Sequence, residues 1–176
     1  MSRKDPLRHD PVDVLGEAYE LMLERVMADF RKAKEKSAPV LHRLIDEAKE
    51  KALELEELTR EEAEKVAGYL KRDLADAGEY LAETGGELKD WLGFETELIE
   101  SSLLDLIMQA SDKTTVELLK FKEDLELGPT YHTGEIAGPG TLICDQCGEQ
   151  LHFKRAGRIP PCPKCHGTSF HRVRPQ

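Results

Sequence analysis

Four cysteines, arranged as Cys144-Asp-Gln-Cys147 and Cys162-Pro-Lys-Cys165, are the residues of this chain whose types and spacing could do chemistry. They are the only cysteines among its 176 residues. Four thiolates in two tight turns can close a tetrahedron around one metal ion. The Cys-x2-Cys repeat with 14 intervening residues lies one short of the usual range for such ribbons, a trivial difference. In a reducing compartment, two such pairs favour metal over disulfides. The expected site is therefore one structural Zn²⁺ held by Cys144, Cys147, Cys162 and Cys165, with iron as the alternative metal. Four cysteine ligands leave no open position for water, so the pattern argues against a catalytic metal.

The first pair reads as a rubredoxin-type knuckle. Gly148 follows Cys147, where a positive φ turns backbone N–H groups towards the sulfurs. In the second knuckle His166 takes the equivalent place, with Gly167 one residue later. Short apolar-alternating runs flank the turns: Thr141-Leu142-Ile143, Leu151-His152-Phe153 and Phe170-His171-Arg172-Val173. They predict a three-stranded ribbon, too small to fold without its metal. His152, His166 and His171 lie close enough to replace a cysteine, but the four cysteines already complete a set; His132 reads as a loop residue.

The elements before the ribbon are helical. Leu15, Tyr19, Met22, Val26 and Phe30 recur at steps of three and four, one face of a helix. The basic run Arg31-Lys32-Ala33-Lys34-Glu35-Lys36 falls at its C-terminus, where cations suit the helix dipole. Ser37 reads as a cap and Pro39 suits the first turn of a second helix, with the stripe Leu41, Leu44, Ile45, Ala48, Ala52, Leu55. Thr59-Arg60-Glu61-Glu62 reads as a capping box for a third, with the stripe Ala63, Val66, Ala67, Leu70, Leu74, Ala77, Leu81. Glu47→Lys51 and Glu61→Lys65 are spaced as i,i+4 pairs. Thr84-Gly85-Gly86 ends that helix. A fourth apolar series runs from Leu88 through Trp91, Leu92, Leu98 and Ile99 to Leu106, weakened at Gly93. Ser111-Asp112 caps a last helix over Lys113 to Leu127, stopped by Gly128-Pro129.

The fold class is mainly α: an elongated antiparallel helical bundle or coiled-coil region followed by a small C-terminal β zinc ribbon. The expected organisation is a flexible N-terminus over 1–11, a helical domain over 12–127, a Gly/Pro linker leading into the ribbon over 128–140, and the ribbon over 141–176.

Charge is uneven. The net charge is -10, yet residues 141–176 carry six Lys/Arg against two acids; 19 basic and 33 acidic residues lie in 1–140. The acidic body repels nucleic acid and anionic membranes, so only the ribbon could bind them. There Phe153, Phe170, His152 and His171 could stack beside Arg155, Arg158, Arg172 and Arg174. No stretch approaches the roughly 20 apolar residues of a membrane span. No apolar run follows the first ten residues as in a signal peptide. The expected setting is cytoplasmic.

Enzyme signatures are missing. A di-iron bundle needs Glu-x-x-His on two helices. The helical region has only His9 and His42, and three residues before them stand Pro6 and Pro39. Glu149 and His152 have the spacing but lie in the ribbon. No phosphate-binding loop, dinucleotide turn or Ser/His/Asp pattern appears. The expected protein is a non-enzymatic adaptor or regulator with a protein partner, self-associating through its helices; the alternative is a nucleic-acid-binding regulator.

The segments Glu57-Leu58-Thr59-Arg60-Glu61-Glu62, Lys71-Arg72-Asp73-Leu74 and, above all, Tyr131-His132-Thr133-Gly134-Glu135 ahead of the two knuckles resemble the YbeL-like family of bacterial zinc-ribbon proteins. The resemblance spans about residue 12 to the end. It implies an α-helical N-terminal region, a C-terminal zinc ribbon, a bacterial cytosolic setting and zinc ligation by Cys144, Cys147, Cys162 and Cys165. It implies no catalytic residue and supplies no activity.

Overall fold

A computed structural model describes residues 11–35, 38–84, 88–93 and 130–173. The expectations for residues 1–10, the Ser37 cap, the Gly85-Gly86 stop, Leu98 to Leu106, the helix over Lys113 to Leu127, Gly128-Pro129 and Arg174 lie outside the described residues. Helices come first and strands last, in the order expected. The helices are α1 (Pro11–Lys32), α2 (Ala38–Glu54), α3 (Arg60–Thr84) and the short α4 (Leu88–Leu92). The strands are β1 (Tyr131–His132), β2 (Ile136–Ala137), β3 (Gly140–Cys144), β4 (Gln150–Phe153), β5 (Gly157–Arg158) and β6 (Ser169–Arg172).

The helical stripes point inward. Tyr19, Met22, Val26 and Phe30 of α1 meet Leu41, Leu44, Ile45, Ala48 and Ala52 of α2 and Ala63, Val66, Leu70, Leu74 and Ala77 of α3 in one core. Burying each large side chain here is worth about 1.5–3 kcal/mol. Arg31 and Lys32 form the last turn of α1, where their charge opposes the negative helix end. Thr59 caps α3, its Oγ1 accepting from Glu62 N at 3.2 Å. Two details differ from the sequence reading. Leu55 lies past the end of α2 and is half exposed, because the chain leaves the helix at Glu54. Glu47 pairs with Arg43 rather than Lys51, and Lys51 reaches Glu54, while Lys65–Glu61 forms as expected at 2.9 Å. Such exposed pairs contribute little.

The ribbon is larger than three strands. Its main sheet has the order β1-β6-β3-β4, all neighbours antiparallel, and β2 and β5 form a second, two-stranded sheet. Both β1 and β2 lie within residues 128–140, the stretch expected to be a Gly/Pro linker and entry to the ribbon. Helices and ribbon are packed together. Ile136 of β2 is fully buried in the helical core, and Ala156 N donates to Glu20 Oε1 of α1 at 3.1 Å. Among the described residues, no helix is long and apolar enough to cross a membrane.

Candidate metal centre and its attachment to the helices

The two knuckles are built alike. Cys144 N donates to Glu149 O at 2.8 Å, and Gly148 N donates back to Cys144 O at 3.0 Å. Cys162 N donates to Gly167 O at 2.8 Å, and His166 N donates back to Cys162 O at 2.9 Å. Each turn closes through the fourth and fifth residues after its first cysteine. The fourth residue must be left-handed: Gly148 has φ 76° and His166 has φ 63°. Histidine tolerates that region better than most non-glycine residues, so the second knuckle keeps the shape of the first at a modest conformational cost.

These turns bring four sulfurs together. The Sγ atoms of Cys144, Cys147, Cys162 and Cys165 all lie within 4.8 Å of one another, with Cys144–Cys165 at 3.5 Å and Cys147–Cys162 at 3.6 Å. A tetrahedral Zn–S4 centre with bonds of ~2.3 Å requires sulfurs roughly 3.8 Å apart. A disulfide would need ~2.05 Å, and all four thiols are free. Among the described residues, no histidine or carboxylate joins this cluster, so none of His152, His166 or His171 replaces a cysteine in it.

Gly167 supplies an independent test of fit. A Cβ added there would stand 3.2 Å from both Cys144 Sγ and Cys165 Sγ and 2.9 Å from Gln146 Oε1. Its N–H points at Cys165 Sγ at 3.4 Å. The backbone thus presses against the sulfurs and donates to one of them, as a thiolate requires. Without a cation the thiols do not ionise alike. Burial pushes the Cys162 thiol up, but the backbone N–H groups of Cys165 and Lys164 and the neighbouring thiols bring it to about 7. The N–H of Gly167 lowers that of Cys165, while burial and the other thiols push it up to about 12. A cation at the centre removes this conflict. The donor set fits a metal such as zinc. Gly167→Ala is expected to weaken Zn²⁺ binding at least tenfold, read by competition against a chromophoric chelator, because the added methyl crowds two ligands.

Near the knuckles, His171 Nδ1 pairs with Asp145 Oδ1 at 2.5 Å, and His152 Nδ1 with Thr141 Oγ1 at 2.9 Å. Thr141 Oγ1 in turn donates to Leu92 O of α4 at 2.5 Å. Of the aromatic and basic residues expected to offer a nucleic-acid surface, Phe170 and Arg172 are buried in the interior, Phe153 packs against the ribbon core, and Arg155 and Arg158 are exposed. Arg155 and Arg158 face Glu17, Glu20 and Glu24 of α1 across a cleft of about 490 Å³.

Arg172 occupies the centre of a second cluster, which attaches the ribbon to the helices. Its Nη2 donates to Asp73 Oδ1 of α3 at 2.7 Å and to Gly138 O at 3.0 Å. Its Nη1 donates to Pro139 O at 3.2 Å, and its Nε to Tyr131 Oη at 3.0 Å. The guanidinium lies 4.8 Å from the ring centre of Trp91. Asp73 Oδ2 accepts from Tyr19 Oη at 2.7 Å and Gly138 N at 2.8 Å, and Oδ1 also accepts from Tyr131 Oη at 2.8 Å. Both charged side chains are fully buried. Beside them Arg72 stacks 3.9 Å from the Tyr131 ring centre and donates to Glu135 Oε1 at 3.0 Å. Glu135 is held in place by His132 N at 2.7 Å.

Burial pushes the Asp73 carboxyl up, but Arg172 and Arg72, with hydrogen bonds from Arg172 and Tyr19, outweigh it and hold it below its ordinary value. A depressed carboxyl contributes stability that is complete above its unfolded value, roughly 3.9, and is lost as pH falls through the folded value. Asp76 has the opposite shift: burial raises it. Its Oδ2 lies 3.1 Å from Tyr131 Oη, whose single proton already has Asp73 as an acceptor.

Two of the segments quoted for the family resemblance therefore meet in space: Arg72 and Asp73 contact Tyr131 and Glu135. A family described as a zinc-ribbon containing domain matches residues 28–174. This chain belongs to that family. It is 30% identical over 129 residues to the uncharacterized protein YbeL of Escherichia coli strain K12, which covers 73% of this chain and 79% of the relative. The YbeL proteins of strains O6:H1 and O157:H7 match to the same extent. No solved structure matches. The family and the sulfur cluster together point to metal binding through a zinc ribbon, while the Asp73–Arg172 pair was not identified as a site from the sequence.

Proposed function

We propose that this protein is a non-enzymatic adaptor or regulator of the cytoplasm, in which one structural Zn²⁺ per chain, held by Cys144, Cys147, Cys162 and Cys165, makes the ribbon. The observation that carries the reading is the convergence of four sulfurs within 4.8 Å of one another, with no other ligand type among the described residues. Four thiolates complete a tetrahedron and leave no position for substrate or water. Zinc suits a structural role because it brings no redox chemistry. The helices provide the interaction surface. Val14 and Leu21, seven residues apart on α1, are both more than a third exposed and line a groove with Met22 and Leu58. A second copy packing there in coiled-coil fashion would cover them, which supports self-association through the helices. A partner of another kind would use the same face.

The second reading, a nucleic-acid-binding regulator, is favoured by one observation: Lys154, Arg155 and Arg158 are neighbouring exposed cations. Two experiments separate the readings. Sedimentation across a hundredfold range of protein concentration should show reversible self-association that is lost in Leu21→Glu; a monomer throughout removes that element. Affinity capture of the intact protein from its native cytosol, with nuclease treatment in parallel, should retain protein partners after nuclease. Loss of all partners on nuclease, with binding to short RNA or DNA at about 50 mM salt, would replace the adaptor reading by the alternative.

A further inference from the structure

The metal centre and the buried Asp73–Arg172 cluster lie at different places in the ribbon, yet they share its strands. Cys144 of β3 is in register with Phe170 of β6, and Phe170 is in register with Tyr131 of β1. Arg172, two residues along β6, is in register with Leu142 of β3. The first knuckle therefore ends the ladder that fixes both Tyr131 and Arg172 against Asp73. The second knuckle is joined to the other half of the contact. Ile159, three residues before Cys162, accepts from Gly134 N at 2.9 Å and donates to Glu135 O at 2.9 Å. Thr168, three residues after Cys165, accepts from Thr133 N at 2.9 Å. Both flanks of this knuckle hold the turn that presents Glu135 to Arg72.

The two sides of the contact differ in what holds them. The helices share a core of large apolar side chains drawn mainly from α1, α2 and α3, with Trp91 and Leu92 of α4, to which the ribbon adds Ile136. The ribbon's own buried cluster contains two of the four cysteines, Cys144 and Cys162, beside five other residues. A unit with so small a core depends on its metal to fold. We infer that the four-cysteine centre acts as a latch: with zinc bound the ribbon stays docked on α1, α3 and α4, and loss of zinc releases it while the helices persist. This rests on the reading that the four cysteines hold zinc. Release would uncover Asp73, Tyr19 and Trp91, converting a change in metal supply into a change of the exposed helical face. The device is regulatory and asks nothing of the ribbon beyond folding.

Trp91, the single tryptophan of the chain, reports on it directly. It is fully buried, beneath the Arg172 guanidinium. The full-length protein is stripped of metal with a chelator under reducing conditions. Its metal content, thiol reactivity, tryptophan emission and far-ultraviolet circular dichroism are then followed. The expected result is a red shift of Trp91 emission and a several-fold rise in acrylamide quenching, with most of the helical signal kept. One equivalent of Zn²⁺ should reverse both. If zinc is absent and all four thiols react, yet Trp91 emission is unchanged, the latch is wrong and the zinc site stands. If the helical signal collapses together with the Trp91 environment, the latch is also wrong, because the two parts then unfold as one. If reduced protein takes up no zinc, both the site reading and the latch fall.

Discussion

Replacing Arg172 by methionine is expected to destabilise the docked structure by about 3–5 kcal/mol, measured by urea unfolding followed at Trp91. The size follows from what the substitution leaves behind. Asp73 would keep Tyr19, Tyr131 and Gly138 N as donors but lose the stronger of the two cations that compensate it, leaving only Arg72, at a position with no access to water. Removing one partner of a buried pair costs more than the pair contributes net, because the remaining charge must still be desolvated. The double variant Asp73→Leu/Arg172→Met should therefore recover part of the loss, a coupling that additive behaviour would contradict. Zinc content should stay at that of the unmodified protein, since Arg172 touches no cysteine. An Arg172→Met protein as stable as the original would show that the cluster is not what attaches the ribbon.

The second large effect concerns the sulfurs. Cys144→Ser/Cys162→Ser removes one ligand from each knuckle, both of them buried. Structural zinc sites contribute on the order of 10–16 kcal/mol of binding free energy to the folding of small units. Serine hydroxyls do not replace thiolates for this metal, so most of that contribution is forfeited. The strands should lose order, seen as loss of amide protection over residues 131–172, and the helical circular dichroism signal should remain. Retained protection in the ribbon would mean that its hydrogen bonds and apolar contacts suffice without metal. Loss of the helical signal as well would mean that α1 to α3 depend on the ribbon.

Much of this was legible from residue types and periods. The helical stripes carry large apolar residues at steps of three and four, and nearly all the described ones are buried, because burial is what the period encodes. The cysteine site was legible because few other arrangements use thiols in that spacing. The docking cluster was not, since charged residues are read as exposed by type. The pattern did contain a signal. Asp73 follows Leu70 by three residues and precedes Ala77 by four, placing it on the buried face of α3. Arg172 lies two residues from Phe170, so a strand that turns Phe170 inward turns Arg172 inward as well. What the pattern could not provide was the partner. Asp73 and Arg172 are 99 residues apart in sequence, and only the folded chain shows that each answers the other's charge. The extra strands were missed for a related reason: β1, β2 and β5 are each two residues long, too short for alternation to register.

The metal is what makes the ribbon. Full-length protein purified under reducing conditions without added metal should contain one zinc per chain by elemental mass spectrometry, lost in the Cys144→Ser/Cys162→Ser variant. Fewer than about half a zinc per chain in protein with four intact cysteines would contradict it, and a red, iron-containing product would replace the structural zinc by an electron-transfer centre.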